Sequence, residues 1–365
     1  MEPSRSSSRY YLLSQPRSAS NLLVRMLALN EQSSVAKWHE LGYFFLHTIW
    51  DRETIGPKAI EKMTQEEKTV LRASYQKGAD EFERYLAAAE KEGKTAFVKE
   101  HCFNISDPTV HDMFHSQHIE HAGLSPSSAP VGEEPWTVQL RGEGYGTSLG
   151  RSQLNKTIFP DAFLQTWHPI ILIRHPALMF PSMFRAEADL RRLAGHDGED
   201  MSNMNADMTL YWARSHYDYF ADHFNKTTQI PGGEDDDEKK EDSIKWPLVI
   251  DADDIITEPE VVTRLAEITN LDISKVKFSW DETGEGEKSQ QAAWMTRMKD
   301  TLQASTGILR NKAATNIDIS EEAKKWKVEF GGKYGELMEK WVRDAMPDYE
   351  FLRCKRLRPK LHGAE

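Results

Sequence analysis

The first apolar run of the chain and the polar turn after it read Tyr10-Tyr11-Leu12-Leu13-Ser14-Gln15-Pro16-Arg17-Ser18-Ala19-Ser20-Asn21. The apolar half is long enough for a short buried strand, which Pro16 ends because proline has no amide hydrogen for a sheet. Apolar residues then recur at helical spacing from Leu22 to Leu29, which predicts a helix with one buried face. We expect Ser18, Ser20 or Asn21 to cap that helix, because short polar side chains accept hydrogen bonds from its first amides.

A second helix is predicted from about Lys58 to Lys91, and three further apolar runs, separated by helical segments, indicate strands. They lie at 95–98, 170–173 and 248–250, and the second is the most apolar run of the chain. Such a run is typical of a central parallel strand that is buried on both faces. Short strands that alternate with helices predict an α/β fold with a mainly parallel central sheet flanked by helices. Helices dominate after the last strand, so we predict a helical C-terminal region at 285–352.

We predict that the 365 residues form one α/β domain, 1–365, with two loop insertions. The first insertion, at 123–156, is rich in glycine, serine and proline. The second, at 230–244, contains a run of acidic residues. Both compositions are typical of solvated surface loops.

Composition limits the partners and the compartment. The chain has 46 Lys and Arg against 58 Asp and Glu, a formal net charge of −12. This charge argues against nucleic acid or an anionic membrane as partner, because the averaged field repels phosphates. Cys102 and Cys354 cannot make a disulfide framework, and no apolar run approaches the roughly 18–20 residues that span a bilayer. We therefore expect a cytoplasmic protein without a membrane partner, and the sequence is compatible with a homodimer.

The turn between the first strand and its helix is a candidate anion site. A strand–turn–helix junction directs free amides and the positive end of the helix dipole at one spot, which suits a phosphate or a sulfate. Arg17 adds a permanent charge with bidentate geometry, and Ser18, Ser20 and Asn21 add short donors. An ordinary helix start with an exposed arginine is the alternative. The phosphate-binding pattern GxxxxGK[ST] is absent from the chain, which disfavours a phosphotransferase that uses ATP or GTP.

Arg174 marks a second candidate position. It follows the most apolar run directly, and open α/β sheets bind ligands beyond the carboxyl ends of their strands. Ser182 comes eight residues later, about two turns along a helix with ~3.6 residues per turn. This spacing allows both side chains to reach one phosphate.

Together these motifs resemble those of the sulfotransferase superfamily. The segment 16–21 resembles its 5′-phosphosulfate-binding loop, and Ile173-Arg174-His175-Pro176 with Ser182 resembles its 3′-phosphate motif. A third segment, Ala252-Asp253-Asp254-Ile255 with a proline and a helix after it, resembles the family's strand end. The resemblance covers roughly 9–30, 94–104, 165–190 and 245–272. It implies a P-loop NTPase-like fold and 3′-phosphoadenosine 5′-phosphosulfate (PAPS) as donor, with PAP as product and no metal.

The resemblance also implies roles for the residues of both motifs. Arg17 would contact the phosphosulfate and stabilise charge on the leaving phosphate, in a cradle shared with Ser18, Ala19, Ser20 and Asn21. Arg174 and Ser182 would hold the 3′-phosphate. Arg310 and Lys312 lie in a basic loop that would close over it, with solvated surface charge as the alternative reading of that loop.

Three residues depart from the family pattern. Ala19 stands where the family usually has glycine, so a negative φ is expected there. Leu22 stands where cytosolic members have a tryptophan that contacts adenine, and Ala252 stands in the place of a tyrosine. Stacking on the base must therefore come from other residues.

The segment Lys99-Glu100-His101 resembles the Lys-x-His segment that supplies the catalytic histidine in the cytosolic branch. Removal of a proton from an acceptor hydroxyl needs a group that titrates near neutrality, which histidine provides. We therefore predict His101 as the general base, with Lys99 stabilising the transferring group. A structural or exposed histidine is the alternative.

The resemblance implies a small-molecule acceptor that offers a hydroxyl or an amine. Aromatic residues are dense at 35–60 and at 184–220. Most of them are predicted core, and some are candidates for an apolar or aromatic acceptor pocket. Two related functions stay open: sulfation that drives an elimination or a cyclisation, and a non-catalytic relative that binds the nucleotide.

Overall fold

The computed structural model of the chain describes residues 8–37, 42–56, 58–115, 136–142, 145, 149–196, 198, 200–202, 204–228, 244–284 and 292–359. Two compact units divide these residues between them. The first unit takes in the described parts of 1–13, 33–171 and 212–248. The second takes in those of 14–32, 172–211 and 249–365. Of the predicted insertions, 230–244 lies outside the described residues apart from Ile244, as does most of 123–156.

The strands of the described chain form one parallel sheet. They are β1 (Arg9–Ser14), β2 (Ala96–His101), β3 (His168–Ile173) and β4 (Leu248–Asp251), in the order β2-β1-β3-β4. Tyr10 lies opposite His168, and Leu12 opposite Ile170, in the parallel pair of β1 and β3. The predicted α/β class and parallel sheet are confirmed. The apolar runs predicted as strands are indeed buried, as expected for the strands of a parallel sheet flanked by helices.

The α-helices of the described residues are α1 (Ser20–Met26), α2 (Leu46–Ile55), α3 (Gln65–Lys91), α4 (Pro108–His115), α5 (Asp161–Leu164), α6 (Pro176–Leu193), α7 (Tyr211–Thr228), α8 (Ala252–Thr257), α9 (Glu260–Ile268), α10 (Ala293–Gln303) and α11 (Ile319–Cys354). Short 3-10 turns lie at Leu29–Glu31, Ile60–Lys62, Cys102–Ile105, Met204–Ala206, Ile273–Lys275 and Arg310–Lys312. The helical C-terminal part is thus confirmed by α10 and α11. None of the helices in these ranges is both long and apolar enough to cross a membrane.

Two predicted boundaries are wrong. A helix was expected from Lys58, but α3 begins at Gln65 because Thr64 forms a capping box there: Thr64 Oγ1 accepts from the amide of Glu67, whose carboxylate accepts from the amide of Thr64. The second strand was expected to end at Val98, but β2 continues to His101. Lys99 and His101 therefore lie on the strand and not after it.

Aromatic rings fill the core of the first unit. Phe82 of α3 lies with its ring centroid 5.3 Å from Trp167 and 5.6 Å from Phe163. Tyr11 of β1 lies 4.9 Å from Trp167. All four side chains are buried, so α3 packs its apolar stripe on this cluster and the aromatic density seen in the sequence is largely core.

In the second unit, α6 packs against α11. Phe184 lies 4.9 Å from Phe330 and 5.3 Å from Tyr334, and Arg185 makes a bidentate pair with Glu329. This packing holds the helix that carries Ser182.

Candidate active site

The turn between β1 and α1 has an unusual backbone. Arg17 and Ala19 both have left-handed φ values, 65° and 69°. Ala19 is the N-cap of α1, and no side chain caps the helix, so the expected capping by Ser18, Ser20 or Asn21 is wrong. The reason lies in Ser18, whose hydroxyl and amide both donate to the carbonyl of Gln15, at 2.7 and 3.2 Å, and close the turn instead.

The expected negative φ at Ala19 is also wrong. An L-residue other than glycine loses about 1–2 kcal/mol in this conformation, because its Cβ crowds the following carbonyl. The turn therefore stores strain at Ala19. Strain of this kind persists where the surrounding structure enforces it, often at functional sites.

Replacing Ala19 by glycine is expected to raise the free energy of unfolding by roughly 0.5–1 kcal/mol, since the relief of strain exceeds the entropy that glycine adds to the unfolded chain. Urea unfolding measures the difference. The control is Ala87→Gly on the exposed face of α3, where the same change should destabilise the protein by about 1 kcal/mol. Equal destabilisation by both substitutions would show that the turn holds no strain.

Arg17 connects three elements of the second unit. Its Nε donates to Ser182 Oγ at 3.0 Å, and its Nη1 donates to the carbonyl of Met298 in α10 at 2.7 Å. Burial lowers the pKa of Arg17, and nearby Asp300 opposes that shift. The guanidinium stays protonated near neutral pH, because its ordinary pKa lies far above that range. A largely buried positive charge thus lies beside the turn.

Arg174 holds this turn from the other side. Its Nη1 donates to the carbonyl of Arg17 at 2.9 Å, and its Nη2 donates to the carbonyl of Lys312 at 3.0 Å. Burial lowers the pKa of Arg174, whereas Asp253 nearby raises it. Its Nε is buried and has no acceptor among the residues that the structure describes. An unsatisfied buried donor is costly, so an anion at this position would stabilise the site.

The basic loop at 310–312 forms a 3-10 turn between α10 and α11. The side chains of Arg310 and Lys312 are exposed, and the backbone of the loop makes the contacts. Besides the bond from Arg174, the amide of Ala314 donates to Asp253 Oδ1 at 2.9 Å. The loop is therefore anchored at the start of α8, while contact of either basic side chain with a phosphate stays a prediction.

Carboxylates organise the end of β4. Ala252 begins α8 and does not continue the strand, because Asp251 accepts from the amide of Asp253 at 3.0 Å and caps the helix. Burial, helped by Asp253, raises the pKa of Asp251 to about 6, and Tyr349 donates to its Oδ2 at 2.8 Å. Asp254 pairs with Arg356 at 2.7 Å. These bonds fix the backbone to which the basic loop is attached.

The first unit carries the other predicted residues at the end of β2. Lys99 is buried, with Nζ 4.5 Å from the ring centroid of Tyr43. His101 is half-buried, and its Nε2 lies 3.2 Å from the hydroxyl oxygen of Tyr43. Between them, Glu100 is fully buried and accepts from the amide of His101 at 2.9 Å and from Asn104 Nδ2 at 2.6 Å. Burial raises the pKa of Glu100 to about 7.

Two curated proteins are similar to the chain over nearly its whole length. The sulfotransferase ppzF of Metarhizium rileyi (strain RCEF 4871) is 36% identical over 354 residues, which are 96% of each chain. The sulfotransferase ppzF of Metarhizium majus (strain ARSEF 297) is 35% identical over 356 residues, 96% of this chain and 97% of its own. The chain belongs to the sulfotransferase family. No family model and no solved structure matches it.

In this sulfotransferase, hydrogen bonds join three of the residues that the sequence singled out. Arg17 bonds directly to Ser182 and, through its carbonyl, to Arg174. Ser18 and Ser20 are buried in the same turn, next to Ala19 and Asn21. Ser182 and Arg174 are thus both linked to Arg17, and their shared contact with one phosphate stays a prediction.

Sequence reasoning missed other residues that contact the predicted site residues. The carbonyl of Met298 and the carboxylate of Asp253 come from segments with no recognisable motif, and Tyr43 was one aromatic residue among many. Within the described residues, no group of three or more histidine, cysteine, aspartate and glutamate side chains is arranged to hold a metal ion.

Proposed function

We propose that this sulfotransferase transfers the sulfonyl group of PAPS to a hydroxyl or an amine of a small, apolar or aromatic acceptor. One observation carries the proposal: two largely buried arginines, Arg17 and Arg174, meet at an uncapped turn and are linked to Ser182. Buried guanidinium groups at a strand–turn–helix junction fit a polyanion better than any neutral ligand. The sulfotransferase names of the two relatives support transfer of a sulfonyl group.

The charges of PAPS fit the cationic and hydrogen-bonding groups that the site offers. PAPS carries a 3′-phosphate and a 5′-phosphosulfate, so it needs cationic groups at two places. We assign the 3′-phosphate to Arg174 and Ser182, and the phosphosulfate to Arg17 with Ser18, Ala19, Ser20 and Asn21. The unpartnered Nε of Arg174 supports this assignment, because a phosphate oxygen would satisfy it.

The proposed reaction is an in-line substitution at sulfur. The acceptor oxygen forms a bond to sulfur while the bond from sulfur to the bridging oxygen of the donor breaks. Negative charge develops on that bridging oxygen, where Arg17 stabilises it, and the acceptor proton ends on His101. Lys99 stabilises charge on the transferring group. These electrostatic roles require no metal.

Only the sequence supports our proposals for the compartment and the partners. A cytoplasmic location, a small-molecule acceptor, no nucleic-acid or membrane partner and compatibility with a homodimer stay predictions. The net charge of −12 supports the exclusion of nucleic acid.

Replacing Arg174 by alanine is expected to weaken PAP binding by about 10–150-fold, the usual range for a charge-assisted hydrogen bond of 1.5–3 kcal/mol. Titration calorimetry with PAP measures the loss. The matched control is Arg192→Ala, which removes an exposed arginine from α6 and should leave PAP affinity within two-fold. Unchanged affinity in the Arg174 variant would remove the 3′-phosphate assignment. Competition of Mg²⁺–ATP with PAP would instead point to a phosphotransferase.

A further inference from the structure

Tyr43 contacts both residues that the proposed function uses in the first unit. Its hydroxyl oxygen lies 3.2 Å from Nε2 of His101, and its ring centroid lies 4.5 Å from Nζ of Lys99. The rings of Tyr43 and His101 are 4.9 Å apart and tilted by 54°. Tyr43 and His101 are both half-buried, so the pair stays accessible to a small molecule.

The backbone at Tyr43 is strained and is anchored to β2. Tyr43 has a left-handed φ of 58°, a strained conformation for an aromatic residue. Its amide donates to the carbonyl of Lys99 at 3.0 Å. Gly42 before it has a φ of 144° and pairs with Lys99 in parallel fashion, and a Cβ on Gly42 would lie 2.0 Å from the Lys99 carbonyl oxygen. The backbone of Tyr43 is thus held beside β2 in a strained conformation, and the close approach of residue 42 to Lys99 requires a glycine there.

The contact with Tyr43 affects how His101 can act as a base. A phenol is a better hydrogen-bond donor than a neutral imidazole, which favours donation from the Tyr43 hydroxyl to Nε2 with the proton of neutral His101 on Nδ1. An imidazole nitrogen has one lone pair. While the phenol occupies that lone pair, an acceptor hydroxyl reaches the basic nitrogen only through the phenol.

We propose that Tyr43 relays the proton of the acceptor to His101, an inference that rests on the proposed function. The acceptor oxygen attacks sulfur and gives its proton to the Tyr43 oxygen, while Tyr43 gives its own proton to Nε2. Tyr43 ends neutral and His101 ends as imidazolium. The ammonium of Lys99 at the ring face lowers the energy of the transient negative charge on the phenol.

The kinetic test is Tyr43→Phe, which keeps the ring against Lys99 and removes only the hydroxyl. We expect kcat for PAPS-dependent sulfation to fall about 100-fold, with PAP affinity within two-fold. In a His101→Ala background the same substitution should change the residual rate by less than two-fold, because the relay then lacks its final proton acceptor. The control is Tyr85→Phe, which removes another tyrosine hydroxyl from the same unit and should leave kcat within two-fold.

A spectroscopic test does not depend on turnover. In protein labelled with ¹⁵N-histidine, the His101 signals are those that His101→Ala removes, and we expect Tyr43→Phe to shift the Nε2 signal towards that of a free lone pair. A kcat for Tyr43→Phe within two-fold of the wild type, additive losses in the double variant, or an unmoved Nε2 signal would each overturn the relay. A wild-type protein that turns over no PAPS, with the Nε2 shift present, would count against the proposed function while the Tyr43–His101 bond stands.

Discussion

Replacing His101 by alanine is expected to reduce kcat by about 10²–10⁴-fold, the usual contribution of a general base. The physical reason is that the acceptor must lose a proton as its oxygen attacks sulfur, and His101 offers a ring nitrogen at the end of β2. PAP affinity should stay within two-fold, because the donor is assigned to residues of the second unit. The measurement combines transfer of labelled sulfonate from PAPS with calorimetry.

An exposed histidine provides the control for this result. His196→Ala removes a solvent-facing ring and should leave kcat within two-fold. Retention of wild-type turnover in the His101 variant would return His101 to a structural role, and some other group would have to take the proton. A product whose mass lacks the sulfonate would instead favour sulfation that drives elimination or cyclisation.

Replacing Arg17 by alanine is expected to lower kcat by about 10²–10³-fold, the cost of removing one preorganised donor from a developing oxyanion. Arg17 is largely buried and pre-positioned by Ser182 and by the Met298 carbonyl, so its charge is in place before the bond to the bridging oxygen breaks. PAP affinity should fall as well, because the charge also contacts the bound phosphate. Single-turnover kinetics with saturating PAPS separates the two losses.

Two further variants sharpen the Arg17 experiment. Arg17→Lys keeps the positive charge, so we expect it to recover at least ten-fold of the lost kcat. Arg25→Ala, on the helix that follows the turn, is the control: it removes a bond to the Asp281 carbonyl and a contact with the Trp280 ring, and kcat should stay within two-fold. Equal kcat in wild type and Arg17→Ala would remove Arg17 from the reaction.

Much of the fold could be predicted because its signals are local. A run such as Ile170-Ile171-Leu172-Ile173 has to be buried on both sides, and the alternation of such runs with helices leaves few arrangements besides a parallel sheet. The family could also be predicted, because Arg17, Arg174 and Ser182 lie on the elements and at the spacings that its motifs require. The relatives named sulfotransferases confirm that assignment.

The details of the turn could not be predicted in the same way. Serine and asparagine normally cap helices, yet Ser18 bonds back to Gln15 and leaves Ala19 at the cap with a left-handed φ. The intrinsic preferences of these residues favour a helix capped by a side chain and a negative φ at Ala19. Ser182 and Met298 accept hydrogen bonds from Nε and Nη1 of Arg17, which compensates for the strain.

The amino-acid order alone was sufficient for the α/β class, the parallel strands and the sulfotransferase family, because hydrophobic period and motif spacing act over a few residues. Tertiary structure was needed to show that the carbonyls of Arg17 and Lys312 accept hydrogen bonds from Arg174. It was also needed to show that Tyr43 contacts both Lys99 and His101. Those contacts join residues that are far apart in sequence, and backbone carbonyls, which every residue has, leave no signature in it. Only the folded chain brings such groups within hydrogen-bond distance.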